Sequence, residues 1–104
     1  MNTTRLQMIE TMLKENKHDP FLNYAAALEY KKIGDLNESL KLLELLVDNH
    51  PDYLASYYQL GKVREKLGDL KEAIIAYKMG MQIAESANDQ KTRNELAEAI
   101  QMLE

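Results

Sequence analysis

The sequence predicts an all-α protein, an α-solenoid of two stacked helix-turn-helix repeats with one extra helix at each end and six helices in total. The segment 33–40, IGDLNESL, returns as 67–74, LGDLKEAI, with an offset of 34 residues at every position. A fixed period of this size is typical of stacked helical repeats. Helix-forming residue types are frequent, and proline occurs only at positions 20 and 51, which favours helix throughout the chain.

Two repeats follow from this period, one over 20–53 and one over 54–87. Each contains a Gly-Asp turn, at Gly34 and at Gly68. Glycine suits the position after a helix end, where φ is often positive and a Cβ would clash. The aspartates that follow are expected to cap the next helix by accepting bonds from its free N–H groups.

The second helix of each repeat has apolar residues at a spacing of 4, 3 and 4 residues, which indicates a buried helical stripe. The two helices end differently, because Glu85 stands where the first repeat has Pro51. We therefore expect the later helix to continue to about Ala87. The stripes comprise Leu36, Leu40, Leu43 and Val47 in the first repeat, and Leu70, Ile74, Tyr77 and Met81 in the second.

Two further segments are predicted to cover the ends of the stack. Residues 4–16 repeat the apolar pattern found 34 residues later, so they resemble the second helix of a repeat whose first helix is missing. Residues 89–103 are predicted to form a C-terminal capping helix with one apolar stripe and a polar outer face, as terminal repeats require. That outer face is expected to carry Arg93, Glu95, Glu98, Gln101 and Glu104.

The composition disfavours several classes of protein. The net charge is −4 and the pI is near 5.2, whereas nucleic-acid-binding domains usually carry a basic surface and a high pI. The chain has no cysteine, which argues against a disulfide scaffold and thiolate metal sites. The sequence has no apolar stretch typical of a signal peptide or a membrane span, so we expect a cytoplasmic protein without a membrane partner.

The pattern resembles the tetratricopeptide repeat (TPR), whose signature is W-x2-L-G-x2-Y, then A-x3-F, then P. The resemblance extends over roughly 4–103 and implies a right-handed solenoid. Asn23 replaces the signature Trp in the first repeat, and Arg64 replaces the signature Tyr in the second. The matching residues are Ala26, Ala27, Tyr30, Ser39, Leu43 and Pro51 in the first repeat, and Tyr57, Leu60, Gly61, Ala73 and Tyr77 in the second.

The resemblance implies that the first helix of each repeat lines a concave groove that holds a partner peptide. The predicted groove helices, 20–33 and 54–67, carry five basic and two acidic side chains, a sum of +3. A basic groove on an acidic body favours an acidic partner, although the same lysines are also explained as a solvated face near helix C-termini. The predicted partner-binding residues are Phe21, Tyr24, Leu28, Lys31, Tyr58, Lys62 and Lys66.

We therefore expect a non-enzymatic protein–protein interaction module without catalytic residues, cofactor or metal. His18 and His50 lie in predicted turns beside prolines, and no ligand cluster surrounds them in the sequence. The alternative is a structural protein that self-associates through the groove or an end face, as a monomer or weak homodimer. Most of the methionines fall on helical stripes, so core filling is favoured over an adaptable binding surface; these are Met8, Met12, Met79, Met81 and Met102.

Overall fold

The computed structural model describes residues 3–104, which form six α-helices and no β-strand. This part of the chain measures 38 × 28 × 20 Å. The all-α class and the number of helices are as predicted. The helices are α1 (Thr3–Glu15), α2 (Pro20–Lys32), α3 (Leu36–Asn49), α4 (Ala55–Lys66), α5 (Leu70–Ser86) and α6 (Gln90–Gln101).

The helices pack in chain order. The pairs α2–α3 and α4–α5 are held by extensive contacts, α3 packs against α4, and α1 and α6 pack on α2 and α5. One apolar cluster, which includes Ala27, Leu43 and Val63, joins the two pairs. A second cluster around Leu6 and Ile9 attaches α1, and a third fixes α6. The stack is therefore covered at both ends.

Three tight turns share one geometry. Gly34 and Gly68 have φ of 90° and 82°, as expected from the sequence, and Asn88 has φ of 58°. In each turn the next residue, an aspartate, donates its N–H to the carbonyl five residues earlier at 2.8–2.9 Å, which is a Schellman motif. The same aspartate then caps the following helix with its side chain. Because Asn88 continues this pattern, α5 ends at Ser86, close to the expected end near Ala87.

The helices α4 and α5 approach closely through two reciprocal contacts. A Cβ added to Gly61 would lie 2.1 Å from Cε1 of Tyr77, and one added to Gly80 would lie 2.6 Å from Cβ of Tyr57. Each glycine thus makes room for a tyrosine of the facing helix. Both tyrosines are almost fully buried, so Tyr57 and Tyr77 belong to the core.

A pair of polar contacts repeats with the period of the sequence. The hydroxyl of Tyr30 on α2 donates to Glu10 of α1 at 2.6 Å. Exactly one repeat later, Arg64 on α4 forms an ion pair with Glu44 of α3. The equivalence supports our interpretation of α1 as the second helix of a repeat without its first. It also shows that Arg64 takes over the contact made by the signature tyrosine.

The prediction that the methionines mostly fill the core is wrong. Met8, Met12, Met79 and Met102 are 61%, 46%, 44% and 79% exposed, and of the five considered, Met81 alone packs against a core cluster. On α1, the residues that face α2 are Leu6 and Ile9. The apolar stripe predicted from the sequence is wider than the face of α1 that packs against α2, and within residues 3–104 no other helix covers Met8 and Met12.

Candidate functional site

The two tyrosines predicted to line the groove are both half-buried. The Tyr24 ring lies 5.5 Å from the ring of Tyr53, and the Tyr58 ring lies 6.1 Å from the ring of Tyr77. Burial raises the pKa of Tyr24, a hydrogen bond with Gln59 opposes the shift, and Tyr53 adds to it. Each tyrosine is thus held by a neighbouring ring in its own repeat or turn.

Three lysines lie close together on α2 and α4. The Lys31 Nζ donates to Oε1 of Gln59 at 3.0 Å. Burial lowers the pKa of Lys31, and the positive charges of Lys66 and Lys62 lower it further, against an opposing effect of Glu65. Lys62 and Lys66 lie one turn apart on α4, and the hydrogen bond to Gln59 brings Lys31 of α2 to the same helix. We call these three residues, Lys31, Lys62 and Lys66, the lysine cluster.

One carboxylate belongs to this cluster, and it is already engaged. Glu65 Oε2 lies 3.6 Å from Nζ of Lys62. The same oxygen accepts a hydrogen bond from the hydroxyl of Tyr77. The Lys62 Nζ in addition lies 5.3 Å from the centre of the Tyr58 ring, a distance typical of a cation–π contact. The lysine cluster and Glu65 together carry an excess of two positive charges on α2 and α4.

The remaining predicted groove residues are less closely associated. Phe21 lies in the first turn of α2 and is 64% exposed, and it takes no part in the two aromatic pairs. Leu28 is half-buried on the same helix. The structure thus brings together Tyr24, Lys31, Tyr58, Lys62 and Lys66 through shared neighbours, and it gives Phe21 and Leu28 no comparable link to them among the contacts above.

A cavity of about 340 Å³ extends the groove towards α6. Tyr58 and Lys62 line one side, and Glu95, Glu98, Ala99 and Met102 line the other. The sequence placed Glu95 and Glu98 on the polar, exposed face of α6, and both are exposed in the structure, where they also line this cavity. The buried stripe of α6, with Leu96, Ala99 and Ile100, was predicted correctly. Which flank of a stripe faces the groove depends on how the helix crosses its neighbour, and the sequence pattern carries no such information.

The charge of this face therefore changes along its length. The lysine cluster of α2 and α4 is positive, whereas α6 contributes the carboxylates of Glu95 and Glu98 next to Lys62. Two carboxylates beside one lysine leave the α6 side negative. This face can thus offer one end to anionic groups and the other to cationic groups.

A separate cavity of about 220 Å³ marks the position of the missing aromatic residue in the first repeat. In the second repeat, the hydroxyl of Tyr57 donates to the Pro51 carbonyl at 2.6 Å. In the first, Asn23 donates its amide to the equivalent carbonyl of Lys17 at 3.0 Å. The short side chain keeps the hydrogen bond but leaves the volume of the ring unfilled. His50 also borders this cavity, with Nε2 3.2 Å from the His18 carbonyl oxygen.

Within 3–104, no three side chains of His, Asp or Glu are grouped in a way that could hold a metal ion. None of the six helices in that range has the length and apolar character needed to cross a membrane.

Comparisons with known proteins agree with this architecture. A family model described as Tetratricopeptide repeat matches residues 22–86. TPR repeat-containing protein PA0015 from Pseudomonas aeruginosa is 26% identical over 99 residues, which are 95% of this chain and 94% of that protein. The solution structure of a tetratricopeptide repeat domain protein from Salinibacter ruber is 39% identical, with a TM-score of 0.81 over 84% of this chain and 88% of that one. Protein BPP2914 from Bordetella parapertussis is 25% identical, with a TM-score of 0.84 over 99% of this chain and 89% of that one.

The six helices and their repeated turns define a small helical-repeat protein. The matched family model spans more than half of the sequence, and the chain belongs to the tetratricopeptide repeat family. Members of this family generally mediate protein–protein interaction and are typically non-enzymatic scaffolds.

Proposed function

We propose that this protein is an interaction module whose concave groove binds a peptide or protein segment that carries acidic and apolar residues. The observation that carries the proposal is the lysine cluster beside two half-buried tyrosines on α2 and α4. Anionic side chains of a partner would neutralise the excess positive charge, and the exposed parts of Tyr24 and Tyr58 would supply apolar contact area. The residues proposed to bind the partner are Phe21, Tyr24, Leu28, Lys31, Tyr58, Lys62 and Lys66.

The lowered pKa of Lys31 supports an anionic partner. The positive charges of Lys66 and Lys62 add to the lowering of the Lys31 pKa, so a carboxylate placed among the three lysines would gain their combined attraction. Such contacts mainly raise the association rate and set the charge preference, and binding should weaken as salt screens them. Tyrosine adds a large contact area together with a hydroxyl group and is frequent in binding hot spots. Two repeats offer a small interface, so we expect an affinity on the order of micromolar.

The test is a selection of short random displayed peptides on the purified protein. We expect the selected pool to be enriched in Asp and Glu combined with apolar residues. Binding should fall at least about tenfold in the Lys31→Gln/Lys66→Gln variant, which removes two charges and should have little effect on the core. The matched control is Lys71→Gln/Lys78→Gln, which removes two exposed charges from α5 and should leave binding unchanged.

The pKa of Lys31, followed by NMR with and without a selected peptide, gives a second readout. Occupation by an anionic segment should raise this pKa, because a carboxylate stabilises the charged amine. A pool without acidic enrichment, or binding that survives in Lys31→Gln/Lys66→Gln, would move the binding site away from this groove.

Self-association is a second candidate, favoured by the exposed face of α1. Met8 and Met12 lie one turn apart on this helix and are 61% and 46% exposed. An apolar pair on an exposed helix face is suited to a second copy. Light scattering over a range of concentrations tests this candidate. A mass that rises with concentration in the wild type but not in Met8→Gln/Met12→Gln would support it, and a constant monomer mass would reject it.

A further inference from the structure

We propose a second binding surface on the opposite side of the molecule, a groove between α3 and α5 that takes a basic, amphipathic helical segment of a partner protein. This convex groove has a volume of about 360 Å³ and goes beyond the concave site proposed above. Its lining contains an apolar floor, two exposed apolar side chains and an acidic rim. The apolar lining residues are Val47, Leu60, Ile75, Ala76 and Met79, and Glu44, Asp48 and Glu72 form the rim.

The floor of the convex groove is open because of a size difference between the repeats. Ala76 stands one repeat after Leu42, whose larger side chain packs against the cluster that attaches α1. An alanine at the equivalent place adds no volume beyond its Cβ, so the space between α3 and α5 stays unfilled above Leu60. The groove thus results from the small residue at position 76, and the packing of the two helix pairs does not itself require a groove there.

The walls expose apolar side chains to solvent. Ile75 and Met79 lie four residues apart on α5 and are 43% and 44% exposed. The residue equivalent to Ile75 in the first repeat is Lys41. A charged residue is the usual choice on a solvated helix face, so an isoleucine at this position stands out. An apolar pair rimmed by polar residues is typical of a surface that contacts another protein, and a thioether such as that of Met79 adapts to different partners.

The rim determines the charge of the occupant. Three carboxylates line the groove, those of Glu44, Asp48 and Glu72, against the single positive charge of Arg64. The charge of Arg64 is already shared between two carboxylates. Its guanidinium pairs with Glu44, and its Nη1 lies 3.6 Å from Oδ2 of Asp69. The carboxylates of Asp48 and Glu72 both belong to exposed residues. Charge complementarity therefore calls for Lys or Arg beside the apolar residues of the partner.

The dimensions of the groove suit a helix. From Glu72 to Met79 the wall formed by α5 runs for about two turns, or roughly 10 Å at the rise of an α-helix. Apolar residues at positions i, i+3 or i+4, and i+7 of a partner helix would reach along that length. A protein with a basic groove on one face and an acidic groove on the other would hold two partners of opposite charge at once, as an adaptor.

The experiment uses two probe peptides of equal length and helical pattern, one of Leu and Lys and one of Leu and Glu. Binding is followed through the methyl NMR signals of Ile75 and Met79 in the full-length protein. We expect the Leu/Lys peptide to shift both signals and the Leu/Glu peptide to leave them in place. In Asp48→Asn/Glu72→Gln the affinity for the Leu/Lys peptide should fall at least about fivefold. The matched control, Glu95→Gln/Glu98→Gln, makes the same charge change on the concave side and should keep the affinity within about twofold.

Three results would overturn this proposal. They are equal shifts with both peptides, an affinity unchanged in Asp48→Asn/Glu72→Gln, and shifts of Ile75 and Met79 that depend on protein concentration without peptide. The last result would mean that a second copy covers the groove. Because the concave site is tested by Lys31→Gln/Lys66→Gln, either proposal can fail while the other stands.

Discussion

The contact between Gly61 and Tyr77 can be tested against the equivalent contact in the first repeat. A Cβ added to Gly61 would lie 2.1 Å and 2.4 Å from two atoms of the Tyr77 ring, and this ring is fully buried. The first repeat has Ala27 and Leu43 at the same positions, and both are fully buried as well. The two repeats thus fill one interhelical space with different pairs, glycine with tyrosine and alanine with leucine.

We predict that the second repeat tolerates the alanine and leucine of the first repeat when both are introduced together, and that either substitution alone is more costly than their combination would suggest. Gly61→Ala should gain up to about 1 kcal/mol of helix propensity but lose more to overpacking, for a net loss of about 1–3 kcal/mol. Tyr77→Leu should cost about 2–4 kcal/mol through the lost ring and hydroxyl contact. In the double variant the methyl group occupies space that the ring has vacated, so we expect a favourable coupling of about 1–3 kcal/mol.

The assay is urea unfolding followed by circular dichroism for the wild type, both single variants and the double variant. The hydrogen bond from Tyr77 to Glu65 is lost in Tyr77→Leu and in the double variant alike, so it cancels from the coupling energy. A control cycle combines Tyr77→Leu with Gly68→Ala, since a Cβ on Gly68 meets nothing within 4 Å. That cycle should be additive to within about 0.5 kcal/mol. Additivity in the Gly61 cycle as well would refute the packing argument.

Three further predictions concern the C-terminal helix, the tight turns and the stability of the protein at high pH. Deletion of 90–104 should cause unfolding or aggregation, because it uncovers the apolar cluster that Tyr77 shares with α6; a soluble product with an unchanged melting temperature would contradict this. Asn88→Gly should stabilise the protein by up to about 1 kcal/mol in urea unfolding, because it relieves a positive φ, whereas Gly34→Val should destabilise it by about 1–3 kcal/mol; similar stabilities for both variants would contradict the turn assignment. A hydrogen bond to Glu10 raises the pKa of Tyr30 from 10.0 to about 12. The stability that this bond contributes is therefore complete below pH 10 and is lost between about pH 10 and 12. In Tyr30→Phe the free energy of unfolding should fall less steeply over that pH range than in the wild type, and an unchanged pH profile would show that the Tyr30–Glu10 bond does not stabilise the fold.

Much of the fold could be predicted because it depends on local and periodic features. The period placed the turns, and the residue types at Gly34 and Asp35 specified a positive φ followed by a helix cap, which the structure confirms. The longer α5 could also be predicted, because Glu85 replaces the proline that stops α3. These features need no knowledge of which helix lies beside which.

The candidate site was less accessible to sequence reasoning. The residue pattern selected Tyr24 and Tyr58, but it could not show that each ring pairs with another tyrosine. It also could not show that Glu95 of α6 would share a cavity with Lys62. Contacts of this kind join residues that are far apart in the chain, and their geometry depends on the angles at which helices cross.

The sequence by itself determined the class of fold, the period and the caps, because these depend on backbone preferences and on residue types at the turns, whereas Leu70 of a predicted buried stripe is exposed. The tertiary structure alone decided which faces stay open. Ala76 and Asn23 each leave a cavity where the other repeat fills the space, and Met8 and Met12 remain exposed although they continue an apolar pattern. A side chain's burial depends on the volume and position of its neighbours on other helices, and a pattern along one helix does not contain that information.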